Sequence, residues 1–185
     1  MALVALYDAN VLYPSTLRDV LIRVGLAQLV RPKWSEQILD ETFRNLRTNR
    51  PDLGVEQLRR TRDLMNRALR DVLVSGHEPL IDTLDLPDLD DRHVLAAAIA
   101  GEARVIVTKN LRDFPASVLS VHGLIAEHPD DFLAELAQDH PSVMGAVVDA
   151  IARTWKNAEV ERVLKSLAVE APRTVDVIRA RSTDT

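Results

Sequence analysis

Four acidic side chains lie where strands and helices of this sequence are predicted to begin or end. Asp8 follows an apolar run, Glu41 lies within a helical stretch, Asp91 opens an alanine-rich helix, and Asp113 follows a second apolar run. The chain has no cysteine, which excludes thiolate ligands, and its five histidines show no metal-ligand spacing. Converging carboxylates without such ligands favour a hard divalent cation, Mg²⁺ or Mn²⁺. Such a cation polarises a phosphate and acidifies water, so the pattern predicts phosphoryl chemistry.

Helical geometry separates two neighbouring acids on the second predicted helix. Asp40 and Glu41 point about 100° apart, and Glu41 is the one aligned with the apolar Ile38. Asp40 has charged neighbours on its own face, so we expect it to form surface ion pairs. Glu41, at the margin of the buried face, is the predicted site residue. Either Glu41 or Asp113 could orient or deprotonate the attacking water.

Two further acidic groups leave alternatives open. Capping can explain some, but not all, of the aspartates at positions 85, 88, 90 and 91, and we take Asp91 as the first choice of ligand and Asp90 as the alternative. Asn110 and Asp113 occupy a loop after the strand-like run 105–108, which could also be an ordinary polar loop.

Strands alternate with helices along most of the chain, which predicts an α/β fold with a mainly parallel sheet. The clearest predicted strands are 3–7 and 105–108; weaker ones lie at 29–32, 80–81 and 121–125. Ser35 is expected to cap a helix that extends to Asn49. From residue 141 onward the pattern is helical only. The N-terminal residues have neither a basic region nor the apolar length of a signal peptide or membrane span, so we expect a cytoplasmic protein.

Charge is distributed unevenly. The net charge is -5, yet residues 41–70 contain eight arginines and four acids, and residues 78–91 contain six acids and neither Lys nor Arg. The arginines are either a solvated helix face or a surface for the phosphates that flank a metal site. Lys33, Lys109 and Arg112 lie closer to the predicted sheet edge and are candidate contacts to the substrate.

Several motifs together resemble the PIN domain, specifically the VapC-like toxin ribonucleases. These are Asp8-Ala9-Asn10 after the first strand, Glu41, Asp91 with its alanine-rich helix, and the segment 107–114. The resemblance covers residues 1–136. It implies a three-layer α/β/α fold, which the helical extension at 141–185 would follow.

The resemblance also implies a function. Such proteins are metal-dependent endoribonucleases that prefer single-stranded RNA, are usually homodimeric and are silenced by a cognate antitoxin. By position, Asp8, Glu41, Asp91 and Asp113 take the acidic places of the family, of which Asp8, Asp91 and Asp113 are the expected metal ligands. Asn10 and Asn110 are expected to be supporting polar groups.

Three other readings remain open from the sequence. One is a catalytically inactive PIN-like protein that binds nucleic acid or serves as a scaffold. Another is a haloacid-dehalogenase-like phosphatase, although it would need an acid where Asn10 stands, and an amide cannot act as a general acid. The last is a receiver domain, suggested by Thr108-Lys109 after a strand.

Overall fold

The computed structural model describes residues 2–156 and 158–182, and its centre is a five-stranded sheet. All pairings are parallel, in the order β3-β2-β1-β4-β5. The strands are β1 (Leu3–Tyr7), β2 (Val30–Ser35), β3 (Leu73–Val74), β4 (Val105–Val107) and β5 (Ile125–Glu127). The predicted parallel α/β fold is therefore confirmed.

Eleven helices surround the sheet in the described part of the chain. They are α1 (Ala9–Leu12), α2 (Ser15–Leu26), α3 (Glu36–Asn49), α4 (Val55–Ala68), α5 (Glu78–Ile81), α6 (Arg92–Ala100), α7 (Ala116–Leu119), α8 (Pro129–Asp139), α9 (Pro141–Thr154), α10 (Val160–Leu167) and α11 (Pro172–Ser182). Short 3₁₀ turns lie at Leu89–Asp91, Leu111–Asp113 and Ser120–His122. Among the described residues, no helix combines the length and the apolar character that crossing a membrane requires.

The helices cover the sheet on its two faces and make three layers. Tyr7 of β1 points towards α2 and α8: its hydroxyl donates to the carbonyl of Leu21 at 3.3 Å, and its ring packs edge-on against Phe132. α6 packs against β1, β2 and β4. It connects β3 to β4, in the direction across the sheet opposite to that of the connection from β1 to β2. Because both connections are right-handed, α6 lies on the other face. Both faces of the central strands are therefore buried, which explains their continuous apolar sequence.

β2 is longer than the sequence predicted and contains a proline. Trp34 donates its backbone N–H to the carbonyl of Val72 on the β3 side at 3.0 Å. The nitrogen of Pro32, two residues earlier, faces the same side at a point where β3 has not yet begun. The missing N–H of Pro32 therefore costs no ladder hydrogen bond, and the strand continues to Ser35.

Two of the weak strand predictions are wrong in position. Residues 80–81 belong to the short helix α5, and the strand in this region is Leu73–Val74. The last strand is Ile125–Glu127, whereas Val121 lies in a 3₁₀ turn. Short apolar runs fit a strand or a helix equally well, so their assignment depends on what they pack against.

The C-terminal helices share the core of the sheet. Ile151, Val163 and Val175 are fully buried and belong to the same apolar cluster as the residues of β1 and β4. Asp130 of α8 caps α11, because its carboxylate accepts the backbone N–H groups of Arg173 (3.0 Å) and Thr174 (2.8 Å). The division at residues 136 and 141 remains a prediction, and residues 1, 157 and 183–185 of the predicted units lie outside the described residues.

Candidate metal centre and active site

Asp8 lies at the carboxyl end of the central strand and is almost fully buried, with 4% of its surface exposed. Its backbone N–H donates to the carbonyl of Val107, which holds the ends of β1 and β4 together. Its Oδ1 accepts the N–H of Ala9 at 2.6 Å, so Asp8 is also the N-cap of α1. A capping role and a site role are thus compatible for this residue.

A polar network fixes the second oxygen of Asp8. Oδ2 accepts the hydroxyl of Thr108 at 2.7 Å and the side-chain amide of Asn10 at 2.6 Å. The Asn10 carbonyl oxygen accepts the backbone N–H of Lys109 at 3.0 Å, and the Thr108 hydroxyl oxygen accepts the N–H of Asn110 at 3.0 Å. The network joins the segment after β1 to the segment after β4 and leaves the Asp8 carboxylate a single orientation.

Three more carboxylates meet at the same edge. One oxygen each from Asp88, Asp91 and Asp113 lies within 4.8 Å of the others. Asp91 and Asp113 are partly buried, and Asp88 is exposed. Asp113 accepts a hydrogen bond from the side-chain amide of Asn110, so these two predicted site residues are in direct contact.

Glu41 approaches this edge from α3. Its Oε2 lies 3.5 Å from Nε2 of His93, at the start of α6, and its side chain is 40% exposed. Asp40, in contrast, points to solvent and pairs with Arg62 at 2.6 Å. The helical geometry therefore separated the two acids correctly, although the partner of Asp40 lies on α4.

Electrostatic repulsion and burial act together on these carboxyl groups. Burial, followed by the charges of Asp8, Asp88, Asp113 and Glu41, raises the pKa of Asp91 to about 7. Burial also raises the pKa of Asp8, against the hydrogen bonds from Thr108 and Ala9, which lower it. The surroundings of Asp8 and Asp91 therefore disfavour the charged forms of both carboxyl groups.

This donor set fits a hard divalent cation. The converging ligands are carboxylate oxygens, and a cation among them would stabilise the charged form of Asp91, which burial and then repulsion from its neighbours disfavour. Asp91 and Asp113 would hold it together with Asp88, close to the expected ligand Asp8.

Several predicted site residues lie apart from the carboxylates. Asp90, the alternative to Asp91, is exposed and is not one of the three grouped acids, whereas Asp91 is grouped together with Asp88. Lys33 donates to the carbonyl of Asp71 and lines a small cavity with Gly101, at the far end of α6 from Asp91. The structure does not bring Lys33 to the carboxylates.

The other predicted cations have different surroundings. Lys109 forms an ion pair with Glu170, in the turn before α11, so its charge is partly neutralised within the chain. Arg112 is exposed beside Asp113. In the arginine-rich stretch, Arg62 pairs with Glu36 and Asp40, whereas Arg44 and Arg47 form no ion pair with any described residue. These two arginines line a groove of about 420 Å³ between α3 and α4.

Sequence analysis assigned no place in the site to Thr108 or Asp88. Thr108 directly follows β4 and could have been found as the residue opposite Asp8 once the pairing of β1 with β4 was known. Asp88 was weighed as a cap, and it is one, because its Oδ1 accepts the N–H of Asp90 at 2.9 Å. Asp88 therefore both caps this turn and belongs to the group of three carboxylates.

The chain combines a parallel α/β sheet with carboxylates clustered at the carboxyl ends of its strands. Comparison with known proteins shows which protein family has this arrangement. The PIN domain family model matches residues 4–112, more than half of the chain, which therefore belongs to the PIN-domain family. Over 58 residues the chain is 47% identical to a protein of Mycobacterium tuberculosis named "Putative ribonuclease VapC50". This stretch is 31% of the chain and 34% of the relative, so the match spans about a third of that protein. No solved structure matches the chain.

Family membership confirms the resemblance seen in the sequence and decides against the receiver-domain and phosphatase readings. The structure gives a further reason against a phosphatase. Asn10 stands where that chemistry needs an acid, and both ends of its amide are used to hold Asp8 and Lys109. Asn10 thus joins the Asp8 carboxylate to the segment after β4.

Proposed function

We propose that this chain is a Mg²⁺- or Mn²⁺-dependent endoribonuclease that cleaves single-stranded RNA and is the toxin of a toxin–antitoxin pair. The observation that carries the proposal is the meeting of Asp88, Asp91 and Asp113 at the sheet edge next to Asp8, where burial and then the neighbouring carboxylates raise the pKa of Asp91 to about 7. A site that binds a cation in this way suits a phosphodiester, which brings its own negative charge.

Each side chain of the edge has a defined part in the proposed reaction. Asp8, Asp91 and Asp113, with Asp88, hold the cation, which when bound would polarise the scissile phosphate and acidify water. Glu41, partly exposed and outside the grouped ligands, is placed to orient water or accept its proton; Asp113 is the alternative. Asn10 and Thr108 keep Asp8 in place, and Asn110 does the same for Asp113.

RNA would extend from this edge over positively charged side chains. Arg112 lies beside Asp113, and Arg44 lies one helical turn beyond Glu41 on α3. Lys109 would contribute only if RNA phosphate competes with Glu170 for its ammonium group. Lys33 is not part of the proposed contact, because it faces the other end of α6.

The proposed biological role rests on the family and on the relative. The relative is named a ribonuclease, and the identity to it covers a third of its length. An antitoxin that blocks the acidic edge and a homodimer of the toxin complete the proposal. A short gene directly upstream that encodes a DNA-binding protein would support the first, and light scattering of the purified protein tests the second.

Cleavage of defined RNAs tests the activity. Purified protein is incubated with a panel of single-stranded RNAs and a duplex control, in Mg²⁺, Mn²⁺ or EDTA. We expect cleavage of single strands only with a divalent cation, and its loss in Asp8→Asn but not in Asp139→Asn, an exposed acid at the end of α8. Cleavage that survives EDTA or Asp8→Asn would overturn the mechanism. RNA binding without cleavage would indicate the inactive, binding form of the fold.

A further inference from the structure

His93 is a buried histidine next to the proposed water-orienting acid. It has 6% of its surface exposed, and its Nε2 lies 3.5 Å from Oε2 of Glu41. Its other ring nitrogen, Nδ1, is fully buried and has no hydrogen-bond partner among the described residues. The ring is therefore held by packing on one side and faces Glu41 on the other.

The unpartnered Nδ1 determines which nitrogen carries the proton in the neutral ring. A buried donor without an acceptor is costly, and Nδ1 has no acceptor within reach. Nε2 does have one, the Glu41 carboxylate. The proton therefore belongs on Nε2, directed towards Glu41, and the lone pair belongs on Nδ1.

Glu41 needs such a partner to have a defined direction. It is a long side chain, 40% exposed, and among the described residues no other side chain pairs with its carboxylate. Ordering a free glutamate costs rotamer entropy, which a fixed neighbour reduces. α3 and α6 pack against each other here, so His93 is mounted on a rigid element.

We propose that His93 is a positioning residue that holds the Glu41 carboxylate at the edge beside Asp8 and Asp91. The 3.5 Å separation is longer than a strong hydrogen bond and would shorten when substrate orders Glu41. After burial, the nearby charge of Glu41 also raises the pKa of Asp8, which places the Glu41 carboxylate at this edge. The expected effect of His93 on the rate of RNA cleavage rests on the proposed function, whereas the contact between His93 and Glu41 does not.

A double-mutant cycle tests the effect on the rate. His93→Leu, which keeps bulk but removes the donor, is expected to lower kcat roughly 10-fold with little change in KM, as for other residues that orient a reacting group. His93→Gln, which can place an N–H near the position of Nε2, should restore most of the rate. In a Glu41→Gln background, His93→Leu should cause no further loss. His122→Leu, at an exposed histidine, is the control, and thermal unfolding monitors folding of all variants.

The ¹⁵N spectrum of the His93 ring tests the contact without any activity. We expect the Nε2–H tautomer in the wild type and a shifted Nε2 resonance in Glu41→Gln. An Nδ1–H tautomer, or an equal loss of rate in both backgrounds, would overturn the inference and leave the proposed function standing. If the wild type cleaves no RNA, the proposed function fails, and the ring tautomer still decides the contact.

Discussion

Thr108, directly after β4, donates its hydroxyl proton to Oδ2 of Asp8 at 2.7 Å, across a separation of 100 residues in sequence. The same hydroxyl oxygen accepts from Asn110 and from the Asn10 amide, each at 3.0 Å. Thr108 is fully buried, so water cannot replace these bonds. It fixes the buried acid of the site relative to the loop that carries Asp113.

Replacing Thr108 should change both the stability and the acid limit of activity. Thr108→Val removes a hydrogen bond that lowers the pKa of Asp8, so this pKa should rise further. More Asp8 is then protonated at a given pH, and the acidic limb of the kcat/KM profile should move to higher pH. The loss of a buried bond to a carboxylate should cost about 1–3 kcal/mol of unfolding free energy. Thr108→Ser, which keeps the hydroxyl, is the control. An unchanged pH profile in Thr108→Val would contradict the role given to this bond.

Asp91 should make stability depend on pH in the absence of divalent cations. Its pKa rises from 3.8 to about 7 on folding, so the folded state binds the proton more tightly, and stability falls as pH increases from about 4 to about 7. Asp91→Asn removes this dependence and should be more stable than the wild type at pH 7.5 but similar at pH 4. Because Asp91 is only partly buried, solvent screening limits the expected gain to about 1–2 kcal/mol.

Urea unfolding at several pH values measures this difference. Asp90→Asn, which changes an exposed neighbour, should follow the wild type. The wild type at pH 7.5 should also gain stability on addition of Mn²⁺, because the cation binds the folded state. A gain for Asp91→Asn that is as large at pH 4 as at pH 7.5 would show that repulsion at the site is not its cause.

Two neighbouring aspartates should differ in cation binding. Asp88→Asn should weaken Mn²⁺ binding by about tenfold, because it removes a charge from the three grouped carboxylates, while its amide oxygen can still cap the turn at Asp90. Asp90→Asn should bind Mn²⁺ like the wild type. Isothermal titration of each apo-protein measures the affinities, and equal weakening in both variants would contradict the assignment.

Two unpaired arginines on α3 should contribute to RNA binding. The double variant Arg44→Glu/Arg47→Glu should weaken binding to a single-stranded RNA and flatten its dependence on salt, since fewer counterions are released. Arg44→Glu alone is also compared with Arg153→Glu, at an exposed arginine of α9, because these two single variants change the net charge equally. Filter binding at several salt concentrations, with Asp8→Asn to prevent cleavage, measures the slope. If RNA affinity depends on salt as steeply in the double variant as in the wild type, both arginines belong to an ordinary solvated surface.

Arg62 illustrates why the arginine-rich stretch could not be resolved from composition. It joins α4 to α3 through Glu36 and Asp40, so reversing its charge would disturb helix packing as well as any RNA contact. Arg44 and Arg47, in the same stretch, are exposed and have no ion-pair partner in the described part of the chain. Sequence counts the charges, but partners on another helix decide which of them remain available.

The first strand and the helix capped by Ser35 followed directly from local sequence. Leu3–Tyr7 is a short apolar run that ends at a polar turn, and Ser35 accepts the N–H of Ile38 at 3.2 Å, as its position before an amphipathic run predicted. The short strands β3 and β5 were misplaced. They contain two and three residues, too few for periodicity to distinguish strand from helix.

The sequence by itself determined the chemistry available to this protein: no thiol, many carboxylates, and an aspartate at the end of a buried strand. Only the tertiary structure decided which carboxylates meet. Asp88, not Asp90, lies with Asp91 and Asp113, and Thr108 supports Asp8 from the neighbouring strand. Residue type and local spacing are properties of short segments, whereas convergence depends on strand order and on the directions in which separate turns present their side chains.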